Sequence, residues 1–377
     1  MEFIDLSKQY ARIKDNVNAS IQRVLDHGHY ILGPEVEQLE EALANYTGSN
    51  HVISCANGTD ALQLSLMAMG VKPGDVIITT PFTFFATAEV IPLVGADIAF
   101  SDINPQTFNL CPDTLRSEIL KLKTQGRNIV GIIAVNLFGL PADFAKIKEI
   151  CSEFNLFLIE DAAQSFGASI SHHKSCTFGD IATTSFFPAK PLGCYGDGGA
   201  MFTNDANIAK KLRSLSAHGK GLNKYDNIAI GLNSRLDTLQ AAVLLEKLKI
   251  FDEEIKLRQK VAENYAALLA ETALKLPILP PSYNSIWAQY AIIAASTQQR
   301  DYIRSQLKYE GIPSAIYYEK PLHLQPIFRT LDYSNGAFPI AEDVSHRILC
   351  LPMHPYLPLE DQKAISDVIH TALQGSP

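Results

Sequence analysis

The sequence predicts an α/β protein. Its expected architecture is a large N-terminal unit on a mixed, mostly parallel sheet between helices, followed by a smaller C-terminal α/β unit. Three observations carry this. Short apolar runs through the first two-thirds of the chain are each followed by a turn or a helical pattern, the signature of strands buried in a parallel sheet. After Pro277, Pro280 and Pro281 the pattern restarts as short strands and helices. A chain of 377 residues with 47% apolar side chains has material for more than one core.

Taken in order, Pro34 can open a helix, and Val36, Leu39, Leu43 and Tyr46 follow at helical spacing. His51 to Ser54 reads as a short strand. Gly58 to Met69 reads as a helix closed by Gly70. Val76 to Thr79, Ile98 to Asp102, Ile129 to Val135 and Leu156 to Glu160 are the apolar strand runs, and Met201 to Thr203 is one more candidate. Leu236, Leu239, Val243, Leu244, Leu248, Phe251 and Ile255 keep a helical period that continues to about Leu274, long enough to bridge two units. The expected division is residues 1–250 and 251–377, with the junction placed softly between 245 and 280.

Composition excludes several classes. Lys and Arg number 32 against 40 Asp and Glu, a net charge of −8, which argues against a broad basic face for nucleic acid or anionic lipid. The longest clean apolar run, Ile129 to Val135, is seven residues, far short of a membrane span. Met1 to Asp5 has no basic segment leading into an apolar one, so no secretory signal is expected there. The six cysteines are scattered without a C-x-x-C pair and read as reduced thiols, which suits a cytoplasmic protein. His27 with His29, and His172 with His173 and Cys176, lack a complete ligand set at metal-binding spacing, so no metal is expected.

Four segments can carry chemistry. Lys190 stands alone in the apolar, proline- and glycine-rich run Thr184 to Gly193. A desolvated lysine has a lowered pKa and can attack a carbonyl. An exposed loop lysine is the alternative. The run Leu158 to Gly167 ends a buried-type strand on Glu160 and Asp161, at the carboxyl end where parallel sheets bind ligands. An ionised Asp161 there can keep a pyridine nitrogen protonated; an acidic turn or cap is the alternative. Ser54 to Leu62 runs from strand through small residues into a helix starting at Gly58 or Thr59, where free N–H groups can cradle a phosphate. Ser185, ahead of Lys190, can add a hydroxyl to it. A plain N-cap by Asn57 or Thr59 is the alternative. Phe84, in Pro81 to Ala88, can stack on a flat cofactor or simply join the core. The glycines at 193, 196, 198 and 199 do not spell G-x-G-x-x-G, which argues against a nicotinamide-dependent dehydrogenase.

Read together and in order, these segments resemble the DegT-type nucleotide-sugar aminotransferases, pyridoxal phosphate (PLP) enzymes of the aspartate aminotransferase fold (fold type I). The resemblance covers almost the whole chain. It runs through Gly28 to Glu35, Asn57 to Leu62, Thr83 to Thr87, Glu160 to Gln164, Ser185 to Lys190, Gly196 to Gly199, His218-Gly219, Gly231 to Asp237 and Leu351 to Pro355. It implies Lys190 as the Schiff-base lysine and proton shuttle, and Asp161 as partner of the pyridine nitrogen. Gln164 would bond the phenolic oxygen, Gly58, Thr59 and Ser185 would hold the phosphate, and Phe84 would stack on the ring. The implied assembly is a homodimer with shared active sites, so Asn233 would reach the neighbour's phosphate and Arg235 its substrate. Tyr30, Glu35, Asn136 and Arg235 would surround the substrate; Tyr317 and Tyr318 would line the sugar pocket or only pack, and His323 would approach the substrate or the dimer interface. Asn136 stands where many relatives carry His or Ser, and Glu319-Lys320 puts a charged pair into a substrate-facing loop.

The implied reaction is a two-stage transamination from glutamate to a nucleotide-linked keto-hexose. A UDP-linked 3-keto sugar such as UDP-2-acetamido-2-deoxy-3-oxo-glucuronate comes first and a 4-keto sugar second, in bacterial surface polysaccharide (O-antigen, lipopolysaccharide) synthesis. Related dehydratases replace the lysine with histidine, so Lys190 argues against that activity. A regulator on the same scaffold is the remaining alternative, and Lys190, Asp161 and Ser185 together argue against it.

Overall fold

The computed structural model describes residues 1–223 and 225–375. The chain runs α1 (Leu6–His27), α2 (Pro34–Thr47), β1 (His51–Cys55), α3 (Gly58–Ala68), β2 (Asp75–Thr79), α4 (Ala86–Leu93), β3 (Asp97–Phe100), α5 (Pro112–Thr124), β4 (Asn128–Val135), α6 (Phe144–Phe154) and β5 (Phe157–Asp161). Then come β6 (Ser169–Ile170), β7 (His173–Lys174), β8 (Ile181–Ser185), β9 (Gly199–Thr203), α7 (Ala206–Leu215), α8 (Thr238–Leu268), β10 (Tyr283–Asn284), β11 (Tyr290–Ile293), α9 (Thr297–Tyr309), α10 (Pro339–Arg347), β12 (Ile348–Leu351) and α11 (Leu359–Gly375).

Seven strands form the central sheet in the order β1-β9-β8-β5-β4-β2-β3. The β8-β5-β4-β2-β3 block is parallel, and β9 runs antiparallel to both β1 and β8. Alternation along each strand fills both faces. Ile77, Ile133 and Ile159 pack into one cluster, while Val76, Ile78, Ile132, Ala134 and Leu158 pack into another with Phe144 and Ile147 of α6. The expected apolar strands are therefore all in this sheet. β8, α1 and the small three-stranded sheet β10-β6-β7 lie outside the elements expected from the sequence. β8 is polar in composition, Ile-Ala-Thr-Thr-Ser, yet Ile181 to Thr184 are buried, so its membership comes from its neighbours.

α8 crosses two cores. Phe251 joins the cluster beneath β8 and β9, and Val261, Ala262 and Tyr265 join one with α9, α11 and the antiparallel pair β11-β12. The helix ends at Leu268, short of Leu274. Thr272 turns the chain back, its N–H and Oγ1 both donating to the Leu269 carbonyl. Among the described residues no helix is long and apolar enough to cross a membrane.

Candidate active site

All the parallel strands end on one edge of the sheet, and most of the chemically loaded residues fall there. β5 ends in Asp161, β8 in Ser185, and β1 runs through Asn57 into α3. The register places Gly199 of β9 between Cys55 and Ser185. The approach is close enough to exclude side chains. A Cβ on Gly199 would lie 2.5 Å from the Asn57 carbonyl, and one on Gly58 would lie 2.8 Å from Ser185 Cβ. Glycine at these positions lets the start of α3 sit against the end of β8.

The strand alternation separates the two carboxylates of β5. Asp161 is buried; its Oδ2 accepts from Thr87 Oγ1 at 2.9 Å and its Oδ1 from the Ala163 N–H at 3.1 Å. Burial pushes its pKa above the usual carboxylate range, against those two donors and the charge of Lys190. Glu160 points the other way, its Oε1 and Oε2 accepting from the Cys176 and Phe178 N–H groups at 2.9 and 2.8 Å, so it pins the turn after β7. Burial raises its pKa to about 7.

Lys190 is half-buried in the loop between β8 and β9. Its N–H donates to the Phe187 carbonyl at 2.8 Å. Desolvation lowers the basicity of its amine, and Asp161 opposes that shift. A lysine in this state has a larger neutral fraction near neutral pH than a surface lysine, as a nucleophile requires.

α3 supplies an anion site. Asn57 caps the helix, its Oδ1 accepting from the Asp60 N–H at 2.8 Å, and its carbonyl takes the Ala61 N–H. Gly58 and Thr59 open α3, so their N–H groups have no acceptor four residues back in the helix, and Gly58 lies against Ser185. These donors and the positive end of α3 fit a phosphate.

Gln164 is buried and engaged: Oε1 accepts from the Phe138 N–H at 2.8 Å and Nε2 donates to the Tyr318 hydroxyl at 3.2 Å. Tyr318 thus stands beside the site, its ring edge-on to Phe82, with Tyr317 next to it against Phe3. Phe84, 55% exposed, precedes α4, the helix whose Thr87 holds Asp161.

Other expected site residues are engaged within the fold. Asn136 is 0% exposed, its Nδ2 donating to Glu160 Oε1 at 2.8 Å and Ser165 Oγ at 2.9 Å while its Oδ1 accepts from the Ala142 N–H. Its amide is fully engaged inside the fold, which corrects the expectation that it faces substrate. His323 is corrected likewise: it is 1% exposed, with Nε2 on Glu342 Oε1 at 3.0 Å and its ring against Phe338. Tyr30 is exposed and Glu35 buried, its Oε1 3.2 Å from His27 Nε2. Both belong to the entry of α2, which bonds to the start of α8 through Tyr30 O and Thr238 N. Asn233 is exposed and accepts from Arg235. Between them Ser234 turns inward, its hydroxyl accepting from the Ala56 N–H at 3.1 Å. The sequence reading missed Thr87 and Ser234; for Thr87 the signal was a hydroxyl one helical turn after Phe84.

An amine nucleophile, a buried carboxylate suited to a cationic N–H, and an anion-binding helix terminus on one sheet edge define a carbonyl-handling enzyme that holds a phosphorylated group. The chain belongs to the DegT/DnrJ/EryC1/StrS aminotransferase family, which it matches over residues 11–370. It is 48% identical over 365 residues to the UDP-2-acetamido-2-deoxy-3-oxo-D-glucuronate aminotransferase of Pseudomonas aeruginosa, covering 97% of this chain and 98% of that one. A family aminotransferase from Brucella abortus has a similar crystal structure, with TM-score 0.95 and 50% identity over 99% of both chains. NtdA from Bacillus subtilis, whose structure has bound PMP (pyridoxamine phosphate), superposes with TM-score 0.89 at 29% identity, over 99% of this chain and 83% of that one.

Proposed function

We propose that this protein is a PLP-dependent aminotransferase that passes the amino group of glutamate to a nucleotide-linked keto-hexose, first of all a UDP-linked 3-keto sugar such as UDP-2-acetamido-2-deoxy-3-oxo-glucuronate. One observation carries the reading. Lys190, Asp161 and the open end of α3 beside Ser185 share one edge of the sheet. The name of the Pseudomonas relative supports the choice of sugar.

The residues fit PLP. The Gly58 and Thr59 amides and the Ser185 hydroxyl would hold its phosphate. Asp161, buried at the end of β5 with the charge of Lys190 acting on it, would take the pyridine N–H. Gln164 Nε2 would turn to the phenolic oxygen, and Phe84 would cover the ring. The bound cofactor supplies an electron sink. The rest is done by the protein: Lys190 takes a proton from the donor's Cα and later returns one to the sugar carbon, while Tyr318 and Tyr317 shape the pocket.

The working unit is a homodimer. Asn233 is exposed, and the chain just before it carries the apolar side chains of Leu222, Ile228 and Ile230, which are largely exposed in a single chain. A second copy would cover them and place Asn233 at its neighbour's phosphate and Arg235 at its neighbour's substrate. The setting is the cytoplasm, in synthesis of bacterial surface polysaccharide.

The test is spectroscopic. Protein reconstituted with PLP should show a visible band that glutamate bleaches and Lys190→Ala lacks. The glutamate-treated form should then convert a UDP-linked 3-keto sugar faster than UDP- or dTDP-linked 4-keto sugars. Failure to bind PLP would overturn the enzyme reading; preference for a 4-keto sugar would overturn the choice of position.

A further inference from the structure

Two side chains seven positions apart on α8 grip the loop that carries Lys190. Gln240 Oε1 accepts from the Tyr195 N–H at 2.8 Å. Lys247 Nζ donates to the Gly193 carbonyl at 2.6 Å and sits 4.3 Å from the centre of the Tyr195 ring. Seven residues is two helical turns, so both project from one face. Lys247 is 1% exposed, and burying an ammonium this completely costs free energy unless the charge is used. Burial lowers its pKa to about 8, opposed by Glu254 on its own helix and Cys194 in the loop. Tyr10 of α1 packs edge-on against the Tyr195 ring.

The gripped loop is stiff. Phe186 N–H donates to the Gly198 carbonyl at 2.8 Å, Cys194 N–H to the Phe186 carbonyl at 2.7 Å, and Lys190 N–H to the Phe187 carbonyl at 2.8 Å. Gly193 fits so tightly that a Cβ there would lie 2.5 Å from the Pro188 carbonyl oxygen. A displacement of Gly193 is therefore handed on to Pro188 and the turn bearing Lys190.

We propose that Lys247 is a positioning residue: by clamping Gly193 to α8 it sets where the Lys190 amine stands. The kinetic consequence rests on the aminotransferase reading; the clamp itself does not.

The test uses Lys247→Met, which keeps the aliphatic stem and removes the donor, and Lys247→Gln, which keeps an N–H donor. Hydrogen exchange by mass spectrometry on the full chain without cofactor reads the clamp. In Lys247→Met, peptides covering residues 186–198 should exchange about tenfold faster, as expected for loss of one hydrogen bond from a charged donor, with β2 and β4 unchanged. Lys247→Gln should recover part of the protection. With PLP bound, glutamate should bleach the visible band about tenfold more slowly in Lys247→Met, at a half-saturating glutamate concentration within about twofold of the parent. If Lys247→Met does not fold, Lys247→Gln alone decides, with about threefold faster exchange expected in the same peptides. Unchanged exchange in that segment, or a uniform rise along the whole chain, overturns the proposal. A parent protein that binds no PLP would instead overturn the aminotransferase reading and leave the exchange result to judge the clamp.

Discussion

Thr87 Oγ1 donates a 2.9 Å hydrogen bond to Oδ2 of Asp161, tying α4 to the end of β5. Thr83 Oγ1 lies 3.1 Å from the same hydroxyl, so a short chain of hydroxyls backs the carboxylate. Thr87→Val keeps the shape and removes the donor. Asp161 would then be held less firmly in its ionised form and its pKa would rise further. PLP affinity should fall about tenfold, consistent with a hydrogen bond to a charged group. Titration of the apoprotein followed by the visible band measures this.

Gly58→Ala introduces a Cβ 2.8 Å from Ser185 Cβ, so α3 or β8 must give way. Overpacking of this kind costs about 1–3 kcal/mol. The larger expected effect is on PLP affinity, because the displaced groups are the amides and hydroxyl assigned to the phosphate. Comparing thermal melts with and without PLP checks it: the stabilisation by ligand should shrink much more than the melting temperature of the apoprotein.

Asn136→Ala should act on stability and leave sugar recognition alone. The substitution removes a donor from Glu160 and leaves the buried Ala142 N–H without its acceptor. A loss of about 2–4 kcal/mol is expected from the three buried hydrogen bonds lost, to Glu160, Ser165 and Ala142. Urea unfolding reads the loss, and the KM for the sugar of the folded variant should stay within about twofold of the parent.

Glu160 should leave a mark on the pH dependence of stability. Its folded-state pKa is raised to about 7 from 4.5 by burial, so the folded chain keeps this proton where the unfolded chain has lost it. Its contribution to stability therefore declines as pH rises from about 4.5 to about 7 and is flat above that. The decline is on the order of a few kcal/mol. Glu160→Gln should remove it, so melting temperatures of parent and variant, followed across that interval, should diverge in slope and run parallel above it.

Much of the sheet and one part of the site were legible in the sequence for local reasons. Ile129 to Val135 and Leu156 to Glu160 are apolar enough to be buried strands wherever they sit. A lysine in an apolar turn, carboxylates after a buried strand and small residues before a helix announce themselves without partners. β8 was not legible, because its threonines become core only between β5 and β9. Asn136 and His323 were misjudged for a related reason. Polar residues in loops face outward unless a distant group satisfies them, and Glu160 and Glu342 do so.

What the sequence by itself determined is therefore the order of the apolar strands and of the helices between them, and the chemical types available at the strand ends, since both follow from spacing along the chain. The tertiary structure alone decided which polar groups meet. It separated Asp161 from Glu160 by strand alternation, brought Thr87 to Asp161, and buried Lys247 on a helix face otherwise read as apolar from Val243 and Phe251. Those pairings join residues far apart in sequence, and the free energy that makes a buried charge tolerable exists only once its partner has been folded against it.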